Sequence, residues 1–191
     1  MGKRVGEARV PGIGSVALEL VDEGDRGRLL EFFRSLSLET IWNRFLEVVR
    51  DFEGIVSRVL DRESTPVAVS AVVEGSIAGL AEVYGSPKGR TGEAAIITAE
   101  AYRGKGLGTA LLYTLLVLAR AKGFEILEGF VHRSNTPALR LARSFGAAIL
   151  EYEPPILLAR FNVEHSILVA REKLSRKNLK ISIIVPHPLH S

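Results

Sequence analysis

The chain has 191 residues, is 47% hydrophobic and carries a formal net charge of +3, which is enough apolar content for one packed core with tails. It has no cysteine, so a disulfide frame, a thiolate metal site and a cysteine nucleophile are all excluded. The longest apolar run, Leu107 to Ala119, is too short to cross a membrane, and the first fifteen residues lack the apolar stretch of a secretory signal; cytoplasmic residence without a membrane partner is expected.

Residues 1–14, with Gly2, Gly6, Pro11, Gly12 and Gly14, read as a flexible leader. Residues 15–166 are expected to form the folded domain, and 167–191 a basic C-terminal extension. Val16 to Val21 reads as a first strand. Asp22 and Asp25 can cap the helix that follows, where Leu29, Leu30, Phe32 and Phe33 recur at helical spacing. A second helix after Ser37 carries Ile41, Trp42 and Phe45. Thr65 to Glu74 and Ser76 to Tyr84 form a hairpin about Glu74 and Gly75, and a Gly-rich loop over 85–92 leads into a strand from Glu93 to Ala99. A helix from Leu107 to Lys122 stops at Gly123, Ile126 to His132 is a strand, and Ser134 or Asn135 caps a helix through Phe145. Ala147 to Glu151 and Leu157 to Glu164 form a last strand pair around Pro154 and Pro155. Beyond them Arg171 to Lys180 is basic. The β-branched run Ile181 to Val185 is expected to add to an exposed sheet edge, in its own or a neighbouring subunit, which leaves a homodimer open.

Charge is unevenly placed. Residues 1–100 hold 12 Lys and Arg against 16 Asp and Glu, whereas residues 101–191 hold 13 against 6, so a basic half faces an acidic one. Glutamine is absent, and there are one methionine and four asparagines. That scarcity of heat-labile residues fits a thermophilic source and equally a composition set by a GC-rich genome.

The most informative stretch is Arg103-Gly104-Lys105-Gly106-Leu107-Gly108-Thr109, between a strand-like and a helix-like run. Its glycines allow a tight turn that brings backbone N–H groups to an anion at a helix start. No Gly-x-x-x-x-Gly-Lys-Ser/Thr string occurs, which argues against a Walker loop. A dinucleotide fingerprint fails at its third glycine, where Thr109 stands. The string Arg103 to Gly108 instead resembles the Arg/Gln-x-x-Gly-x-Gly pyrophosphate loop of the GNAT superfamily of acyl-CoA-dependent N-acyltransferases. Asn135-Thr-Pro-Ala138 followed by Ser144-Phe145-Gly146 resembles that superfamily's later helix. Ser37-Leu38-Glu39-Thr40-Ile41-Trp42-Asn43-Arg44-Phe45 is similar to the first-helix region of the Pat-type protein lysine acetyltransferases. The resemblance runs over roughly residues 16 to 165.

It implies an α/β (α+β) fold with a mixed, mostly antiparallel central sheet of about six or seven strands, about four helices and splayed central parallel strands. It implies acetyl-CoA as cosubstrate, no metal, and a primary amine such as a protein lysine as acceptor. By resemblance the pyrophosphate falls on Arg103, Gly104, Lys105, Gly106, Leu107, Gly108 and Thr109, and the pantetheine arm on Ile97 and Thr98 with Asn135 opposite. Asn135 also fits an ordinary helix cap. An amine of ordinary pKa about 10.4 must lose a proton before it attacks. The carboxylate that serves as base in many relatives falls on Glu93, ten residues before Arg103, with Glu82, Tyr84 and His132 as weaker candidates. Ala142 stands where many relatives place a tyrosine acid, so no general acid is assigned. A catalytically silent acyl-CoA sensor is the alternative function. Nucleic acid is not an expected partner, because Arg171 to Lys180 contains no aromatic residue for base stacking.

Overall fold

The computed structural model describes residues 2–176 and 179–185 of the chain. Among these, nine strands form one sheet in the order β7-β8-β6-β5-β4-β3-β2-β1-β9. They are β1 (Lys3–Val10), β2 (Gly14–Leu20), β3 (Val67–Val73), β4 (Ser76–Tyr84), β5 (Thr91–Thr98), β6 (Ile126–His132), β7 (Ala148–Glu151), β8 (Ile156–Asn162) and β9 (Lys180–Ile183). The helices are α1 (Arg26–Ser35), α2 (Leu38–Phe45), α3 (Phe52–Leu60), α4 (Leu107–Ala121), α5 (Thr136–Ser144) and α6 (Val163–Arg176). Neighbouring strands run antiparallel except β5 and β6, which are parallel.

The mixed, mostly antiparallel sheet is the architecture expected, with more strands and helices than the expected numbers. The additions are β1, α3 and α6, together with β9, in which Ile181 to Ile183 of the run expected to add to a sheet edge pair with β1 of the same chain. Residues 1–14, expected as a flexible leader, contain β1, whose Val5, Ala8 and Val10 are fully buried. Gly6 is there for close approach rather than for flexibility. It pairs with Ile183 of β9, and a Cβ on it would lie 2.3 Å from the Ser182 carbonyl oxygen. The Asp51 side chain caps α3 by accepting from Gly54 N–H, and Ile55, Val56, Val59 and Leu60 turn inward from it. In α6, Val163, Ile167, Ala170 and Leu174 fall on one face and pack toward α4. The strand expected through Glu164 therefore ends at Asn162, and the start of the expected extension at residue 167 falls inside a helix. Arg171, expected in a solvated basic stretch, donates to the Tyr113 hydroxyl at 3.2 Å. Residues 177, 178 and 186–191 of that extension lie outside the described residues.

The sheet separates two apolar layers. One joins α4, α5 and α6 to the inner faces of β1, β2 and β3; the other joins α1, α2 and α3 to the opposite face through Ala68, Val72, Leu80 and Ile97. All seven residues of β3 are buried, which explains why its Val and Ala run shows no polar alternation.

Candidate active site

The sheet opens at its one parallel junction. β5 pairs with β6 only through Thr91, Gly92 and Glu93, opposite Ile126, Leu127 and Glu128, while β5 stays paired with β4 through to Thr98. Strand amides alternate in direction, so beyond Glu93 those of β5 that turn away from β4 have no strand partner. The gap is the splay expected from the sequence. Into it opens a cleft of about 1480 Å³, walled by Glu93 to Thr98 on one side and Gly129 to Val131 on the other.

Downstream of β5 the chain turns through Gly104 and Gly106, with φ of +71° and +100°, a backbone region open to glycine at little cost. The turn delivers α4, fifteen residues long, whose N-cap residue is Gly106 and whose first amides donate to no capping side chain. By contrast α2, α3 and α5 are capped by Ser37, Asp51 and Asn135. The uncapped N–H groups and positive dipole end of α4 face the cleft through Gly108 and Thr109. Arg103, Lys105 and Arg140 line the same end.

Of the residues expected in the site, Glu93, Ile97, Thr98, Arg103, Gly104, Lys105, Gly106, Gly108, Thr109 and Asn135 all line this cleft. Leu107 does not: its side chain is buried in the core, so only its backbone is available. Asn135 is the cap of α5, its Oδ1 accepting from Ala138 N–H at 3.2 Å. Glu93 is exposed and makes no hydrogen bond or ion pair among the described residues. It shares a sheet face with Tyr84 of β4 and Glu128 of β6, its register neighbours.

The weaker base candidates are otherwise engaged. Glu82 is buried and takes Arg44 Nη2 at 2.7 Å and the Tyr84 hydroxyl at 2.7 Å. Burial first, then the neighbouring Glu82 charge, pushes the Tyr84 hydroxyl far above its usual range, so it stays protonated. Burial works against the Arg44 charge, but Glu82, Tyr84 and Glu93 together outweigh it and keep the guanidinium charged. The His132 Nδ1 lies 2.6 Å from Ser134 Oγ, and its ring meets Trp42 edge-on at 4.9 Å between centroids. That contact carries α2 across the mouth of the cleft to the end of β6.

A second polar tie joins α2 to the glycine loop. Thr40, almost fully buried, hydrogen-bonds Glu100 Oε1, lies 2.8 Å from Ser37 Oγ and accepts from Arg103 Nη2 at 2.5 Å. Partial burial opposes ionisation of Glu100, but hydrogen bonds from Thr40 and Ser37 outweigh it and hold the carboxyl at about 2. Neither this network nor the Arg44–Glu82–Tyr84 cluster was read from the sequence. The available signal was the run Thr40, Trp42, Arg44 on a single short helix, three polar or amphipathic side chains that each meet a different strand or loop.

The family model for the acetyltransferase (GNAT) family matches residues 29–147, and the chain belongs to that family. It is 36% identical over 90 residues to "Putative phosphinothricin acetyltransferase" of Bacillus subtilis strain 168, covering 45% of this chain and 55% of the relative. It is 29% identical over 100 residues to the L-methionine sulfoximine/L-methionine sulfone acetyltransferase of Pseudomonas aeruginosa, covering 50% and 58%. The chain thus spans little more than half the length of these relatives. Among solved structures, the GNAT domain of S. lividans PAT superposes with a TM-score of 0.76 at 19% identity, over 82% of this chain and 95% of that one. At that identity the likeness establishes the fold.

Proposed function

We propose that the protein transfers the acetyl group of acetyl-CoA to a primary amine by direct attack, and that the amine is a protein lysine. The observation that supports this most is the uncapped N-terminus of α4, set beside the open edge of β5 in one cleft. The amides of Gly104 to Thr109, Leu107 contributing only its backbone, hold the pyrophosphate, and Arg103 and Lys105 add charge-assisted contacts. The free amides near Ile97 and Thr98 hold the pantetheine arm, with Asn135 across the gap. The thioester then lies toward Glu93, where the two strands meet.

In the reaction the amine lone pair attacks the thioester carbonyl carbon, the tetrahedral intermediate collapses, and the carbon–sulfur bond breaks. The proton shed by the amine passes to Glu93, directly or through water, and the sulfur leaves as thiolate, which a thiol pKa of about 8.5 permits. The relatives' names point to small amino-acid acceptors; the lysine assignment rests on the Pat-like α2 sequence.

The test is a calorimetric acetyl-CoA titration of the protein and of Gly108→Asp, followed by mass detection of acetylated amines. Gly108 has helical φ, and an added Cβ would meet Leu141 at an ordinary 3.4 Å. An Asp there suits the helix dipole and leaves the fold stable, yet it puts a carboxylate in the anion site. Two unit charges about 4 Å apart repel by about 4 kcal/mol near a protein surface, so affinity should fall by about 10²-fold or more. Undiminished binding removes the pyrophosphate assignment. Binding without turnover on any amine moves the protein to the acyl-CoA sensor reading.

A further inference from the structure

The mechanism leaves one built polar network unused. Thr40 of α2, almost fully buried, accepts from Arg103 Nη2 at 2.5 Å, hydrogen-bonds Glu100 Oε1 and lies 2.8 Å from Ser37 Oγ. Glu100 Oε1 also accepts from the Ser37 N–H at 3.0 Å, so a carboxylate sits at the positive end of α2 while the hydroxyl beside it holds the loop arginine. Arg103 is fixed from a second side, because its backbone N–H donates to the Glu100 carbonyl at 3.1 Å.

The helix that this network seats needs such support. α2 has eight residues, fewer than the about 12–15 that an isolated helix needs to hold in water, so its place over the cleft depends on its ties. Arg44 binds it to Glu82 of β4, and Trp42 packs it on His132 of β6. The Thr40 network binds it instead to the loop assigned to the pyrophosphate. The Arg103 side chain is 43% exposed and lines the cleft, so with one Nη2 hydrogen on Thr40 its remaining N–H groups are open to a phosphate. A guanidinium already seated at one corner loses less rotamer freedom when an anion binds. By linkage the gain is reciprocal: whatever the seated helix adds to anion binding, the bound anion adds to the seating of the helix.

Resting on the pyrophosphate assignment above, we propose that Thr40 and Glu100 are positioning residues that couple the two substrates. Through Arg103, the diphosphate of acetyl-CoA fixes α2 in place and so completes the acceptor end of the cleft, to which α2 contributes Glu39, Asn43 and Arg44. The test follows backbone hydrogen exchange over residues 41–46 in the full chain, without an acceptor amine. Acetyl-CoA is compared with S-acetylpantetheine, which has the same thioester arm and no diphosphate, each at a concentration shown by calorimetry to saturate its binding. Acetyl-CoA should slow exchange in α2 by at least about fivefold, the lower end of usual coupling between sites. Residues 52–60 of α3, which make no hydrogen bond to the glycine loop among the described residues, should change by less than about twofold, and S-acetylpantetheine should leave both helices unchanged. In Thr40→Val the slowing of α2 should drop below about twofold, and Thr40→Ser, which keeps the hydroxyl, should restore it. Equal slowing by the two ligands, no slowing by bound acetyl-CoA, or full slowing in folded Thr40→Val overturns the proposal and leaves the transferase reading standing. The comparison of ligands on the unaltered protein decides it even where Thr40→Val fails to fold. Failure of acetyl-CoA to bind at all removes both readings together.

Discussion

The two ends of the cleft are built from different materials. The glycine-loop end presents backbone: uncapped amides at the start of α4 and along the open edge of β5, with Arg103, Lys105 and Arg140 around them. The acceptor end presents side chains brought from separate places: Glu39 and Arg44 on α2, Arg58 on α3, Tyr84 at the end of β4 and Glu93 on β5. Backbone amides bind any diphosphate in much the same way, so that end suits a cosubstrate shared by a whole family. Side chains can be exchanged one at a time without disturbing the fold, so the other end is free to choose its acceptor. The lesson is that a fold can keep one half of a bimolecular reaction fixed while the other half varies.

The comparison breaks most visibly at Glu93, where the two ends meet. Glu93→Gln keeps the shape of the side chain and removes its basicity. If the proposed role holds, kcat should fall by about 10²–10⁴-fold, with acetyl-CoA affinity hardly moved. Rapid-quench measurement of the chemical step checks it. Near-normal turnover would make Glu93 a surface residue and leave the base unassigned, because Glu82 and Tyr84 are committed to Arg44.

A slightly smaller effect, on stability rather than rate, separates the ends in the other direction. Glu82→Gln leaves the Arg44 charge buried without its counter-ion, and breaking a buried pair on one side costs about 3–5 kcal/mol. For a chain of this size that corresponds to a fall in Tm of roughly 10 °C. Acetyl-CoA binding in the folded variant should stay within about twofold, a factor worth under about 0.5 kcal/mol, if the amides of the glycine loop hold the pyrophosphate as proposed. An unchanged Tm would show that Arg44 reaches water when its partner is lost.

The same division decides what the sequence disclosed. Glycine spacing is the direct trace of backbone chemistry, so the loop and the helix behind it could be read from Arg103 to Gly108, while the splay of β5 from β6 was expected only through the family resemblance that those residues carry. The acceptor end leaves no local trace: Arg44 and Glu82 are 38 residues apart, and only the folded chain puts them 2.7 Å apart. In the fold itself, the strands and helices over residues 16–162 mostly followed from periodicity and turn residues, while β1, α3 and α6 did not. Gly6 imitates a flexible segment because its reason, the passing backbone of β9, lies more than 170 residues away. Gly54 in the first turn disguised α3, though the apolar spacing of Ile55, Val56, Val59 and Leu60 was legible. Val163, Ile167, Ala170 and Leu174 likewise spelled α6 in a stretch whose basic residues drew attention instead.

The smallest expected effect tests whether the ends are as separate as their construction suggests. Thr40 on α2 holds both Arg103 of the glycine loop and Glu100, and the same helix sends Arg44 to Glu82 and Trp42 to His132. Thr40→Val keeps the volume and removes the hydroxyl, loosening Arg103 and leaving Glu100 with the Ser37 amide at 3.0 Å and the Arg103 guanidinium at 4.0 Å. Loss of one such hydrogen bond is worth about 1 kcal/mol, so KM for acetyl-CoA and for the acceptor should both rise by roughly threefold to tenfold, with Thr40→Ser restoring them. A purely local role would move only the acetyl-CoA term. Acid titration adds a second reading. Because the folded Glu100 carboxyl is held near 2, its hydrogen bonds add stability above the ordinary carboxylate value of 4.5, and that contribution drains away as pH falls from 4.5 toward 2. The difference in Tm between wild type and Thr40→Val should therefore be constant above pH 4.5 and narrow below it. A gap that stays level down to pH 2 would mean that Thr40 acts through α2 packing alone and that the two ends communicate by contact rather than through this carboxylate.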